Sequence, residues 1–324
     1  MVETRSGRRH EVRPWGARGI WGRITGAVSP GAGERVRDGS GKSGGISAKA
    51  HDPVGLHVAG GVAVITLRRP DKLNAINAEM WETVTRLVQS LSKDENARVL
   101  ILNGEGENFS AGSDLKELGS ADLKRVEEIF HRAEECAAAL EESPLPTIAC
   151  INGYALGTGL LMALACDMRV ASAGATLGMP IARLGITLSK PFTQRLVALT
   201  GPSRMKDLVY TGRLVDAEEA HRLGIVDRLM PAEKSVLRET LGISKVICQQ
   251  SSASIRAAKR WGGSGSGRAP AAYGYVDPDE FREGVQAFLE RRPPRFYDTG
   301  NGLKAKQPSE RVARTEESET PVED

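Results

Sequence analysis

No apolar run in this 324-residue chain approaches the ~18 residues that a membrane-spanning helix needs, so no segment is expected to cross a bilayer. The N-terminus lacks the apolar stretch of a secretory signal. Cysteine is scarce: Cys136, Cys150, Cys166 and Cys248 sit inside apolar helical or strand patterns without metal-ligand spacing. They read as free thiols of a reducing compartment, and no metal site is expected. A strong charge bias is also missing. Residues 1–50 hold 10 Lys/Arg against 4 Asp/Glu and residues 297–324 hold 4 against 7, while 51–296 carry 30 of each. The basic excess belongs to a tail and makes no case for nucleic acid. Residues 41–43, GKS, lack the glycine a phosphate-binding loop needs five places earlier, where Val36 stands, and no strand precedes them. A cytoplasmic location is expected. Glu3, Glu11, Glu34 and Asp38 argue against an Arg-rich transit peptide, and so against the mitochondrial matrix.

What is present is a patterned body between two biased ends. Residues 1–53, rich in Gly and Arg, and the acidic residues 297–324 read as disordered extensions. VGLHV, the turn Ala59-Gly60-Gly61 and VAVITLRR read as a hairpin of two strands. Met80, Val84, Leu87 and Leu91 recur at helical spacing behind Asn77, a suitable N-cap. RVLILNG is a buried strand, 121–142 a long amphipathic helix and TIACING a further strand, with short strands at MRVAS and ATLGM. From 191 onward helices are expected at 191–200, 202–211 and 216–224, then a strand VDRLM and helices up to Trp261. GGSGSG at 262–267 is a flexible linker, and PDEFREGVQAFLE is a last helix stopped by Pro293-Pro294. The order implies an α/β core over 54–190 and a helical region over 191–296.

Two segments share one physical design. NFSAGSDLKEL (108–118) turns at Ala111-Gly112 and enters a helical stretch at Ser113; GYALGTGLLMALACD (153–167) turns at Gly157-Thr158 and opens onto an uncharged helix. Each turn can aim free backbone N–H groups at an anion, and together they can point the N–H groups of Ser113 and Thr158 at one oxygen.

These segments, together with RRPDKLNAIN (68–77), LACDMRVAS (164–172), GMPIARLGI (178–186), TGRLVDAEEAHRLGIVDRL (211–229) and FREGVQAFLERRPPRF (281–296), resemble the enoyl-CoA hydratase/isomerase (crotonase) family over residues 54–296. The resemblance implies an α/β fold: a spiral of ββα repeats with a C-terminal helical oligomerisation region, assembling as a homotrimer or a dimer of trimers. It implies an acyl-CoA substrate whose thioester oxygen rests between the N–H groups of Ser113 and Thr158. No separate cofactor is implied, because coenzyme A enters as part of the substrate. Lys72 takes the position of a basic residue at the nucleotide end, with Phe281 and late basic residues over the adenine. Ala111, Gly112, Asp114, Leu115, Lys116 and Gly157 frame the substrate.

The family's acids are what this chain lacks. The resemblance places one glutamate at Leu161, the second at Ile181 and a third carboxylate, used by other members, at Ser189. All three positions are empty, so efficient hydration is not expected. Asp114, Glu117, Ser189 and Lys190 remain as candidates for chemistry, His131 reads as a surface or interface histidine, and Asp167 as a structural cap. Two readings follow. One is an enzyme that stabilises a thioester enolate; the other is a silent acyl-CoA binder or a structural partner in a mixed oligomer.

Overall fold

The computed structural model describes residues 52–262 and 276–296. The two expected tails and most of the glycine-serine linker lie outside the described residues. Strands β1 (Val54–Ala59) and β2 (Val62–Leu67) form the expected hairpin, in register Val54↔Leu67, around Gly60 and Gly61. Both glycines have positive φ, which costs them little for want of a Cβ. Strands β3 (Val99–Gly104), β4 (Thr147–Ile151), β6 (Met168–Ser172) and β9 (Arg228–Met230) then add in parallel, giving the order β1-β2-β3-β4-β6-β9. A second sheet holds β5 (Tyr154–Leu156), β7 (Thr176–Gly178) and β8 (Leu214–Asp216). Bridges Ser110↔Ala155 and Ile76↔Ser113 extend its edge. Successive turns of the chain therefore place one segment in each sheet: β3 then Ser110, β4 then β5, β6 then β7. Both sheets draw a strand from beyond residue 190, since β8 and β9 complete them.

The large sheet is covered on both faces, which is why β3 is buried along its whole length. Ala63, Ile65, Leu67, Leu100, Leu102, Ala149, Ile151 and Ala171 face the main core, against helices α1 (Ala78–Leu91), α3 (Leu123–Glu142) and α4 (Thr158–Leu164). Val62, Val99, Ile101, Ile148, Cys150 and Val170 face the other way, onto α8 (Val236–Cys248). The Asn77 side chain caps α1 by accepting from Met80 N at 3.0 Å. The helix expected over 121–142 starts at Leu123, because Asp122 caps it by accepting from Arg125 N; a separate short helix, α2 (Leu115–Ser120), ends before it with Ala121 as its C-cap. Helices α5 (Lys190–Thr200), α6 (Pro202–Thr211), α7 (Ala217–Arg222), α9 (Ser252–Gly262) and α10 (Pro278–Leu289) complete the described chain. Asp167 is structural but not the cap expected, since Ala165 holds the C-cap of α4: its Oδ2 accepts from Thr147 N at 2.7 Å and pairs with Lys259 Nζ at 2.9 Å, tying the chain after α4 to β4 and α9. No helix among the described residues is long and apolar enough to cross a membrane.

Candidate active site

The segment 108–114 is held from both sides by hydrogen bonds its sequence supplies. On one side Ala111 N donates to Leu73 O, Ile76 N to Gly112 O and Asp114 N to Ile76 O, at 2.8–2.9 Å. On the other, Phe109 N, Ser110 N and Leu156 N bond to Asn152 O, Tyr154 O and Ser110 O. Asn74 anchors the corner. It is fully buried, its Nδ2 donates to Glu105 O and Asn108 O, and its Oδ1 accepts from Arg69 N. Because Gly112 O and Asp114 N are the groups that bond Ile76, the N–H of Ser113 points to the opposite side of its strand.

That opposite side meets α4. Gly157 precedes the helix at φ 52° and offers no side-chain cap, which leaves Thr158 N–H as an unclaimed first-turn donor. Two glycines permit the close approach. A Cβ on Gly159 would lie 2.7 Å from Ser110 O, and one on Gly112 (φ 97°) 2.7 Å from Leu156 O and 3.3 Å from Thr158 N. The side chains of the two turns also touch, Ser113 Oγ to Thr158 Oγ1 at 2.9 Å, so the threonine hydroxyl is occupied beside the pair of amides.

A cavity of about 920 Å³ opens here. It gathers Lys72, Ala111, Gly112, Ser113, Asp114, Leu115, Lys116, Gly157, Thr158, Leu161, Ile181 and Ser189, segments far apart in sequence that the resemblance assigned to one site. Phe281 stands apart: it is exposed on α10 and does not line this cavity. Leu161 and Ile181 are buried aliphatic wall, 2% and 6% exposed, where a carboxylate would face the cavity. Lys72, half exposed at the rim, lies 4.0 Å from Asp114.

The remaining candidates separate clearly. Glu117 does not line the cavity; its Oε2 accepts from Ala78 N at 3.1 Å and so serves the start of α1. Asp114 lines it but is committed. Burial pushes its carboxyl up, yet the hydrogen bond from Arg69 at 2.8 Å, the Lys116 N–H and the Arg69 charge outweigh this and hold it below the ordinary value. His131 is exposed on the cavity rim, 3.4 Å from Glu135. Lys190 is exposed at the start of α5. The buried thiols are inert, since burial pushes Cys136, Cys150 and Cys166 up to about 12. Among the described residues no cluster of His, Cys, Asp or Glu is suited to hold a metal.

One carboxylate escaped the sequence reading. Glu134, on α3, lines the cavity, and its Oε1 accepts a hydrogen bond from Ser189 Oγ. Its Oε2 lies 3.4 Å from Arg195 Nη1. Burial raises the Glu134 carboxyl above the ordinary value, and the Arg195 charge only partly opposes it. The sequence holds no local signal for this pair. The residues are 55 apart, and Glu134 reads as one more charge on an amphipathic helix.

Comparison with known proteins finds likenesses over most of the chain. Residues 57–299 match the family model described as enoyl-CoA hydratase/isomerase. The YngF protein of Bacillus subtilis is 38% identical over 240 residues, which cover 71% of this chain and 92% of that one. The human mitochondrial methylglutaconyl-CoA hydratase is 31% identical over 249 residues, 73% of this chain and 74% of that one. Among solved structures, an enoyl-CoA hydratase from Bacillus anthracis superposes with a TM-score of 0.70 at 31% identity, covering 76% of this chain and 99% of the other.

Proposed function

Because the chain belongs to the enoyl-CoA hydratase/isomerase family, we propose that its cavity binds an acyl-CoA thioester and holds the thioester oxygen between the N–H groups of Ser113 and Thr158. Two such donors, preorganised in a site that excludes water, each supply roughly 2.7–4 kcal/mol where negative charge develops. Coenzyme A arrives as part of the substrate, so no resident cofactor is required. The observation that carries this reading is the single cavity that collects both amide turns, the aliphatic wall and Lys72 at its rim. The wall also shapes the reaction. Leu161 and Ile181 cannot hold and ionise a water, so the chemistry proposed is that of an enolate rather than efficient hydration. In this reading residues 54–190 carry the acyl-CoA site and 191–296 the self-association of the chain, as a homotrimer or a dimer of trimers. The exposed apolar residues Phe281, Val285, Phe288 and Leu289 on α10 support that assignment. The same aliphatic wall favours a second reading, a silent acyl-CoA binder, which differs in leaving the α-carbon untouched.

Binding tests the first step. Butyryl-CoA should bind and butyrate should not, because the nucleotide end is what Lys72 serves. Lys72→Glu reverses a charge near the phosphates and should weaken binding about tenfold at low salt, less as salt screens the pair. Calorimetric titration at two ionic strengths reads this. An unchanged dissociation constant at low salt would remove Lys72 from the site, and no binding of any acyl-CoA would overturn the reading.

A further inference from the structure

We propose that Glu134, reaching the cavity from α3, is the proton-transfer group of this site. The inference rests on the acyl-CoA reading above. Seven ionisable side chains line the cavity among the described residues: Asp71, Lys72, Asp114, Lys116, Glu127, His131 and Glu134. Five of them, all but Asp114 and Glu134, are exposed to solvent. Asp114 is held ionised by Arg69, which leaves it a poor proton carrier. Glu134 is the group that is both sheltered and incompletely paired.

Its surroundings fix its orientation without consuming its charge. Ser189 Oγ donates to Oε1 from the start of α5. Arg195, six residues further along, on α5, is engaged mainly elsewhere: its Nε and Nη2 donate to Glu141 at 2.5 and 2.8 Å, and its guanidinium lies 5.0 Å from the Phe192 ring centroid. Only Nη1 turns toward Glu134, at 3.4 Å. The charged groups acting on Glu134 are thus Arg195 from α5, with Glu141 and His131 on its own helix; burial, helped by the Glu141 charge, raises its carboxyl against the lowering effect of Arg195 and His131. Ser189 marks the place of the family's third carboxylate, and the hydrogen bond from Ser189 brings the Glu134 carboxylate to that place from a different helix.

The step balances as a simple proton transfer. The Glu134 carboxylate takes a proton from the substrate α-carbon. The C–H electron pair becomes the C=C bond of the enolate, and the thioester C=O pair moves onto the oxygen held by Ser113 and Thr158 N–H. Return of a proton from the Glu134 carboxyl to carbon restores the thioester and the carboxylate. One group suffices for this cycle, whereas addition of water needs further groups to hold it, and Leu161 and Ile181 offer none.

The experiment follows deuterium entry at the α-carbon of butyryl-CoA in heavy water, with butyryl-CoA binding measured on the same samples. Wild type should exchange. Glu134→Gln should slow exchange by about 10²–10⁴-fold with the dissociation constant little changed, and Glu134→Asp should recover part of the rate. Because the base must be ionised, the rate should climb with pH through an inflection above the ordinary carboxylate value of 4.5. Ser189→Ala, by removing a donor to the carboxylate, should move that inflection higher. Exchange undiminished in Glu134→Gln, or wild type that binds butyryl-CoA without exchanging, overturns the proposal and leaves the binding reading standing. Wild type that does not bind it overturns both.

Discussion

Replacing Leu161 and Ile181 together by glutamate should raise crotonyl-CoA hydration roughly tenfold over wild type, well short of the ~10²–10⁴-fold that well-positioned acid–base groups supply. The two amides at Ser113 and Thr158 would already polarise the thioester. What the double variant adds is a pair of carboxylates able to hold one water and move its protons. Each single change should do little, because the two groups act on that water as a unit. Recovery stays partial for a physical reason. Both positions are buried in aliphatic wall, so a new carboxyl there is pushed up by desolvation and stays protonated over much of the neutral range. Steady-state rates for wild type, both singles and the double, with circular dichroism as the folding control, read the result. A double variant as slow as wild type, yet folded and binding substrate, would show that the pocket does not bring positions 161 and 181 to a common water.

Asp227→Ala should destabilise the fold by about 3–5 kcal/mol, the cost of leaving a buried charge without its partner. Arg169, on β6, is 3% exposed, and its Nη2 lies 2.7 Å from Asp227 Oδ2. The same guanidinium donates from Nε to Ile225 O at 2.7 Å and from Nη1 to Cys166 O at 2.8 Å. Asp227 Oδ2 also accepts from Arg169 N. The pair thus joins the loop after α7 to β6 and the end of α4. Asp227→Asn keeps an acceptor and should cost less. Urea unfolding of the three proteins gives the order wild type, Asn, Ala; equal midpoints for wild type and Ala would show that the Arg169 charge is satisfied without Asp227.

The sequence disclosed elements whose signals are local. Helix α1 shows itself in the spacing of Met80, Val84, Leu87 and Leu91 behind the Asn77 cap, and the β1–β2 hairpin in two glycines between alternating runs. Both amide turns were visible as glycine turns running into helices. Strands β5 and β8 were not. Each is three residues long and pairs with β7, so its identity is settled by partners distant in the chain. Glu117 misled for a similar reason. Its place one turn along from Ser113 suggests the pocket, but the fold brings the start of α1 to it and its carboxylate is spent on Ala78 N. Asn74, with no titratable group and no periodicity, gave no sign that it anchors the corner beneath the site. Glu134 is the most consequential omission, because only the packing of α5 against α3 turns a helix-surface charge into a cavity wall.

The central claim is that this chain keeps the thioester-polarising half of the family's site and lacks the water-activating half. Wild-type hydration of crotonyl-CoA, measured beside crotonyl-CoA binding on the same preparation, tests it most directly. The account predicts saturable binding with hydration barely above the uncatalysed background. Rapid hydration by the unaltered chain would contradict it at the root, since it would require a water-activating acid and base where Leu161 and Ile181 stand.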